Sequence, residues 1–201
     1  MTTKIDVFVD YVCPFCFIME SAVEQLQRDR DVDVEIRPFE LRPDPVPTLR
    51  PEDDYLPAVW TRSVYPMARR LGISVTLPSV SPQPRTEKAF LVLQLAKERG
   101  VAEKYSQAMF QAFFQDDRDI GEDEVIVDVA ASAGLDRMTT EQTLGSVERR
   151  TRHAADQRYA TTIGVTAVPS FLVEGRLISG VADATRLTGM VDQILREKVA
   201  R

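Results

Sequence analysis

Cys13 and Cys16 stand one helical turn apart in Cys13-Pro14-Phe15-Cys16, and the 201-residue chain has no other cysteine. Two thiols at that spacing either contribute to a metal site or interconvert between dithiol and disulfide. Zinc wants four ligands, and the chain offers no second cysteine pair and a single histidine, His153. No metal is expected. A structural disulfide framework spreads several pairs along a secreted chain, which two adjacent cysteines cannot do. Redox exchange is the chemistry that remains: a thiolate attacks a disulfide, and a second thiol resolves the mixed disulfide.

The attacking sulfur must be ionised near neutral pH, whereas a free cysteine titrates at about 8.5. The element in front of the motif supplies a means. Residues 4–10 alternate and are β-branched, so they read as a strand. Tyr11 and Val12 turn the chain, and Pro14 suits the first position of a helix that continues through Phe17, Ile18, Ala22, Val23 and Leu26. Cys13 then lies at the mouth of that helix, where unpaired N–H groups and the positive end of the helix dipole favour a thiolate. Cys16 follows one turn in, on the same side. Cys13 is the expected attacker and Cys16 the expected resolver. Asp10 has two readings: a proton relay for Cys16, or the turn or cap residue that an Asp leaving a strand more commonly is. Phe15 and Phe17 read as an apolar lip for unfolded peptide or as core. His153 shares helical spacing with Ser146, Arg150 and Gln157 and is expected on a solvated face.

The remaining elements frame this motif. Val32–Glu40 reads as a second strand, which makes a βαβ opening, parallel by its connection. Ten of the twelve prolines lie between Pro38 and Pro84, so no long strand crosses that stretch. A short helix is expected around Trp60, Val64, Ala68 and Leu71, bent or restarted by Pro66. From Thr86 onward helical stripes follow one another. The first three comprise Ala89, Phe90, Leu93 and Ala96; Tyr105, Met109, Ala112 and Phe113; and Ile126, Val129, Ala130 and Ala133. The last comprises Leu144, Val147, Ala154, Ala155, Tyr159 and Ile163, and Gly100, Gly134 and Gly164 stand at helix ends. Ser170–Val173 and Leu177–Ser179, joined through Glu174-Gly175-Arg176, read as a hairpin. Leu187, Val191, Ile194 and Leu195 mark a closing helix. The fold class is α/β, a βαβ…ββα sheet domain over 1–41 and 165–201 carrying an all-helical insertion over 42–164.

A net charge of −6 argues against nucleic acid as a partner. The basic cluster of Arg149, Arg150, Arg152 and Arg158 reads as a solvated helix face. No run reaches the roughly 18 apolar residues of a membrane span, so no membrane partner is expected. Asp6 and Asp10 fall where a signal peptide would have its apolar core, which makes the cytoplasm the default location.

Several segments together resemble the DsbA family, in its cytoplasmic FrnE-like branch. They are Asp10-Tyr11-Val12-Cys13-Pro14-Phe15-Cys16, Arg37-Pro38-Phe39-Glu40-Leu41 with Pro43, Phe110-Gln111-Ala112-Phe113-Phe114 with Asp119-Ile120, Gly164-Val165 with Val168-Pro169 and Phe171, and Gly180. The resemblance implies a thioredoxin fold with a helical insertion and a redox-active disulfide rather than a bound cofactor. It also implies dithiol–disulfide exchange, with protein or peptide thiols as the expected partners and glutathione as a candidate co-substrate. An X–Pro bond is cis only about one time in twenty, but the resemblance implies a cis Val168–Pro169 bond facing the cysteines. The backbone of Val168 would then bind an extended substrate as an added strand. Phe15 replaces the Trp usual in this branch and the His of periplasmic relatives, which leaves the thiolate to the helix terminus and implies a milder oxidant. Arg85 and Ala89-Phe90 stand where the branch often has Asn and Ala-His. Two rival readings remain. Kappa-class glutathione transferases and 2-hydroxychromene-2-carboxylate isomerases have a similar fold and activate glutathione with one residue, typically Ser, at the Cys13 position. A non-catalytic binding module needs neither thiol. The presence of both thiols favours exchange.

Overall fold

The computed structural model describes residues 2–180 and 183–199. In chain order its elements are β1 (Thr3–Val9), α1 (Pro14–Asp29), β2 (Val32–Pro38), α2 (Tyr55–Val59), a π-helical stretch (Trp60–Val64), α3 (Tyr65–Leu71), α4 (Glu87–Glu98), α5 (Ala102–Phe114), α6 (Asp123–Ser132), α7 (Arg137–Leu144), α8 (Val147–Thr162), β3 (Ser170–Val173), β4 (Arg176–Ser179) and α9 (Ala184–Val199). They form two compact units, Met1–Phe39 with Asp156–Arg201 and Glu40–Ala155. The chain thus returns to the first unit inside α8, at Asp156, where the sequence reading places the return after that helix.

The first unit is built on one sheet of order β2-β1-β3-β4. β1 runs parallel to β2 and antiparallel to β3, and β3 runs antiparallel to β4. From Ile5 to Val9 every β1 residue is buried, as a strand covered on both faces must be. β2 is an edge strand, so Pro38 ends it without breaking an interior ladder; the Phe39 N–H carries the ladder on to the Val9 carbonyl at 2.9 Å. The β3–β4 hairpin turns on Glu174 (φ 47°) and Gly175 (φ 75°), two positive φ angles in succession, which match the twist of paired strands. α1 buries Cys16, Ile18, Met19, Ala22 and Leu26. Beyond its end, Arg30 forks onto Asp192 of α9 with two 2.8 Å bonds.

The second unit is helical. α4 is buried continuously from Ala89 to Ala96 and forms its axis; Tyr105 of α5 donates its hydroxyl to the Ala89 carbonyl at 2.9 Å. Trp60, Phe110, Phe113 and Phe114 form an aromatic core. Pro66 restarts the helix as its chemistry requires: the Tyr65 N–H reaches back to the Trp60 carbonyl in a wide turn, and Pro66, with no N–H to place, opens α3. Arg85 donates to the Arg42 carbonyl at 2.9 Å and the Val46 carbonyl at 3.0 Å, clamping the proline-rich segment between them.

α8 differs from the sequence reading. Leu144 belongs to α7, Val147 is 74% exposed, and Ala154, Ala155 and Tyr159 also face solvent. The inward residues are Arg149, His153 and Ala160. His153 is therefore not on a solvated face. It is 3% exposed, its Nε2 lies 2.7 Å from Glu40 Oε1, and its ring stacks on Phe90 at 5.6 Å between centroids. Arg149 forks onto Glu98 at 3.0 and 2.7 Å, and its carbonyl accepts a bond from Gln94 Nε2. Each of these side chains buries with at least one partner of complementary charge or hydrogen-bonding type, while His153 Nδ1 and Gln94 Oε1 stay unpaired. Periodicity counts only apolar side chains and so selects the opposite face.

Candidate active site

β1 ends at Val9, and the next four residues turn the chain into α1. The Cys13 N–H donates to the Asp10 carbonyl at 3.0 Å and closes the turn, while Val12 N–H points at Asp10 Oδ1 at 3.5 Å. Cys13 is the N-cap, in extended conformation (φ −92°, ψ 110°), and Pro14 follows at the start of the helix. The Cys13 carbonyl accepts from the Cys16 N–H at 3.0 Å and the Phe17 N–H at 3.4 Å. Its side chain makes no capping bond. Instead the Cys13 thiol donates to the Val168 carbonyl at 3.5 Å.

Strand pairing explains how residues so distant in sequence meet. Phe8 of β1 pairs with Ser170 of β3 in antiparallel register. The loop entering β3 therefore lies beside the segment leaving β1. The Val168–Pro169 bond in that loop is cis. Ser170 is fully buried and holds the loop, with its hydroxyl donating to the Ala167 carbonyl at 2.7 Å and bonded to Ser179 Oγ at 2.8 Å. The N–H of Gly180, a residue in the left-handed region (φ 105°), reaches the Pro169 carbonyl at 3.1 Å. The sequence reading missed Ser170. A hydroxyl directly after the proline was the available signal, but it became meaningful only with Ser179 opposite.

Cys13 and Cys16 are both thiols, 4% and 3% exposed. Burial pushes the Cys16 thiol well up, and its hydrogen bond and charge interaction with Cys13 push the same way; a hydrogen bond from the Asp10 backbone opposes them, and the Asp10 carboxylate adds to them. Asp10 is itself 1% exposed. Pro14, Phe15 and Phe17 are half-buried, so neither phenylalanine is wholly lip or wholly core. One turn beyond Cys16, Glu20 was not singled out by the sequence. Its burial, with Glu24 nearby, raises its carboxyl to about 8. The structure thus brings Cys13, Cys16, Asp10, Val168 and Pro169 together, while His153 belongs to the helical unit. Among the described residues no group of three or more His, Cys, Asp or Glu is arranged to hold a metal ion.

A surface of this kind can take up one half of a disulfide at Cys13 and release it through Cys16. The family model of the DSBA-like thioredoxin domain matches residues 4–194. The chain belongs to that family. A relative, the uncharacterized protein YwbO of Bacillus subtilis (strain 168), is 40% identical over 188 residues, covering 90% of this chain and 92% of that protein. Among solved structures, the probable DsbA oxidoreductase SCO1869 of Streptomyces coelicolor superposes with a TM-score of 0.78 at 26% identity, covering 97% of this chain and 91% of that one. The cytosolic disulfide reductase DsbM of Pseudomonas aeruginosa, solved with GSH, gives 0.70 at 15% identity over 98% and 100% of the two chains. A 2-hydroxychromene-2-carboxylate isomerase gives 0.79 at 15% identity over 98% of each. The last two likenesses are of fold. Among the described residues no helix is long and apolar enough to cross a membrane.

Proposed function

We propose that this DSBA-like protein is a thiol–disulfide oxidoreductase that exchanges a Cys13–Cys16 dithiol/disulfide with protein or peptide thiols and with glutathione. The observation that carries the proposal is the placement of Cys13. It caps a helix, lies 3.5 Å from the Val168 carbonyl, and has a buried second thiol one turn behind it. Cys13 attacks the substrate disulfide, forming a mixed disulfide and releasing the first thiolate. Cys16 then attacks Cys13 Sγ, forming the internal disulfide and releasing the second. Val168 and Pro169 bind the substrate backbone beside the attacking sulfur. On this reading the protein works in the cytoplasm with the FrnE-like branch, where glutathione keeps the pair reduced at rest.

Cys16→Ser tests the assignment. With oxidised glutathione or a disulfide-bonded peptide it should trap a stable adduct on Cys13, whereas Cys13→Ser should trap none. Equal labelling of both thiols by iodoacetamide, or no adduct, refutes the proposal. The fold shared with 2-hydroxychromene-2-carboxylate isomerase favours a second reading, glutathione-dependent isomerisation. That activity does not use the resolving thiol, so chromene acid turnover that survives Cys16→Ser would establish it instead.

A further inference from the structure

A cavity of about 520 Å³ lies wholly within the helical unit, a volume in the range that takes a small molecule. Three segments line it, around Thr48, Gln83 and Gly121. The first two are tied by the Gln83 N–H, which donates to the Leu49 carbonyl at 2.8 Å. The third packs directly on the second: a Cβ built on Gly121 would lie 2.9 Å from Pro84 Cβ, so a side chain there would displace the proline. Asp119 Oδ1 holds that turn by accepting the Gly121 N–H at 2.9 Å. The walls are built before any ligand arrives, which keeps the ordering cost of binding small.

The polar groups of these walls are largely unspent. Gln83 is 6% exposed, yet its carboxamide makes no hydrogen bond to any described residue. A buried amide without a partner is destabilising, and a ligand amide in the cavity would relieve it. The Thr48 hydroxyl is likewise without a partner among the described residues. Arg50 uses one N–H, toward Glu52 at 3.3 Å, and keeps the rest of its fork. Arg85 has both terminal nitrogens on the Arg42 and Val46 carbonyls and contributes charge rather than donors. From the third segment come two carboxylates. Asp119 has one oxygen still open, and the Glu122 side chain has no hydrogen bond or ion pair among the described residues.

We propose that this cavity binds a short peptide in zwitterionic form, with its carboxylate on Arg50, its ammonium on Asp119 and Glu122, and its amide on the Gln83 carboxamide. Charge decides the class. A simple anion would bring its charge against two carboxylates, and a simple cation would meet two guanidinium groups. A neutral ligand would cover all four charges and satisfy none. A molecule with both charges on one short backbone answers each of them. The amide between its ends both donates and accepts, as does the carboxamide it would face. The rings of Pro47, Pro82 and Pro84 leave apolar wall for small side chains. Neither cysteine lines the cavity, so the inference stands apart from thiol exchange and survives if that reading falls.

The test titrates the full isotope-labelled chain with L-alanyl-L-alanine and follows its amide signals by NMR. The dipeptide should give saturable shifts confined to residues 47–50, 81–85 and 119–122 and to the Gln83 side-chain amide. Its dissociation constant should fall in the millimolar range or below. N-acetyl-L-alanine N-methylamide, uncharged and of nearly the same size, should bind at least about tenfold more weakly. Arg50→Gln and Glu122→Gln, both at exposed positions, should each weaken the dipeptide about threefold. Gln83→Leu, of similar volume, should weaken it about tenfold. The inference is overturned by the absence of saturable shifts with the dipeptide, by saturable shifts that map elsewhere, or by equal affinity for the two peptides. Dipeptide affinity unchanged in both Arg50→Gln and Glu122→Gln also overturns it, and decides the question even if Gln83→Leu fails to fold.

Discussion

Replacing Glu20 by Gln should make the protein more stable at alkaline pH and leave it unchanged at mildly acidic pH. Burial and the neighbouring Glu24 raise the Glu20 carboxyl from 4.5 to about 8. In the unfolded chain the same group ionises at its ordinary value. Between those limits the folded protein holds a proton that the unfolded chain has lost, so raising the pH draws the equilibrium toward unfolding. The Glu20 contribution is fully present below about pH 4.5 and lost as the pH rises through about 8. Each unit of difference is worth about 1.4 kcal/mol, which sets a ceiling of about 5 kcal/mol. Glu20 is half-buried rather than sealed, and residual water reduces the expected effect to about 2–3 kcal/mol at pH 8. For a chain of this length that corresponds to roughly 4–12 °C in Tm. Urea titrations of wild type and Glu20→Gln at half-unit steps from pH 4.5 to 8.5 measure it directly, because titrating groups that do not act on Glu20 cancel in the difference. The two curves should coincide at the acid end and diverge above pH 5. Curves that stay parallel throughout would show that Glu20 ionises normally and is not shielded.

Two further outcomes concern the helical unit. His153→Ala removes the 2.7 Å partner of the buried Glu40 carboxylate and the stacking partner of Phe90, and should cost about 3 kcal/mol in urea; replacing both partners by Leu should recover part of that loss, and a double variant no better than the single would contradict the pairing. Arg85→Ala frees the carbonyls of Arg42 and Val46 and should cost about 1 kcal/mol, with faster proteolysis of the 43–51 segment as a second readout; unchanged cleavage would show that the clamp is idle.

What the sequence disclosed and withheld follows from the range of each interaction. The N-cap position of Cys13, the restart at Pro66 and the Glu174-Gly175 turn are local, decided within a few residues by backbone sterics, and all three were legible. The burial of His153 was not. Its partner Glu40 lies 113 residues away, and no helical spacing announces a polar residue that turns inward to meet a charge. The same limit hid Ser170 and Ser179, whose bond exists only because two strands are in register. It hid the ionisation of Glu20 as well, since the sequence shows a carboxylate on a helix and not how much water reaches it.

The sheet is completed by strands from opposite ends of the chain, and this imposes an order on synthesis. When β1, α1 and β2 leave the ribosome, both thiols are already present, but the side of β1 that will receive β3 has nothing to pair with. The whole helical unit must follow before residues 168–179 arrive to fill that edge and set a carbonyl against Cys13. A nascent chain cut short before β3 would carry both thiols without the carbonyl that meets Cys13 in the finished fold.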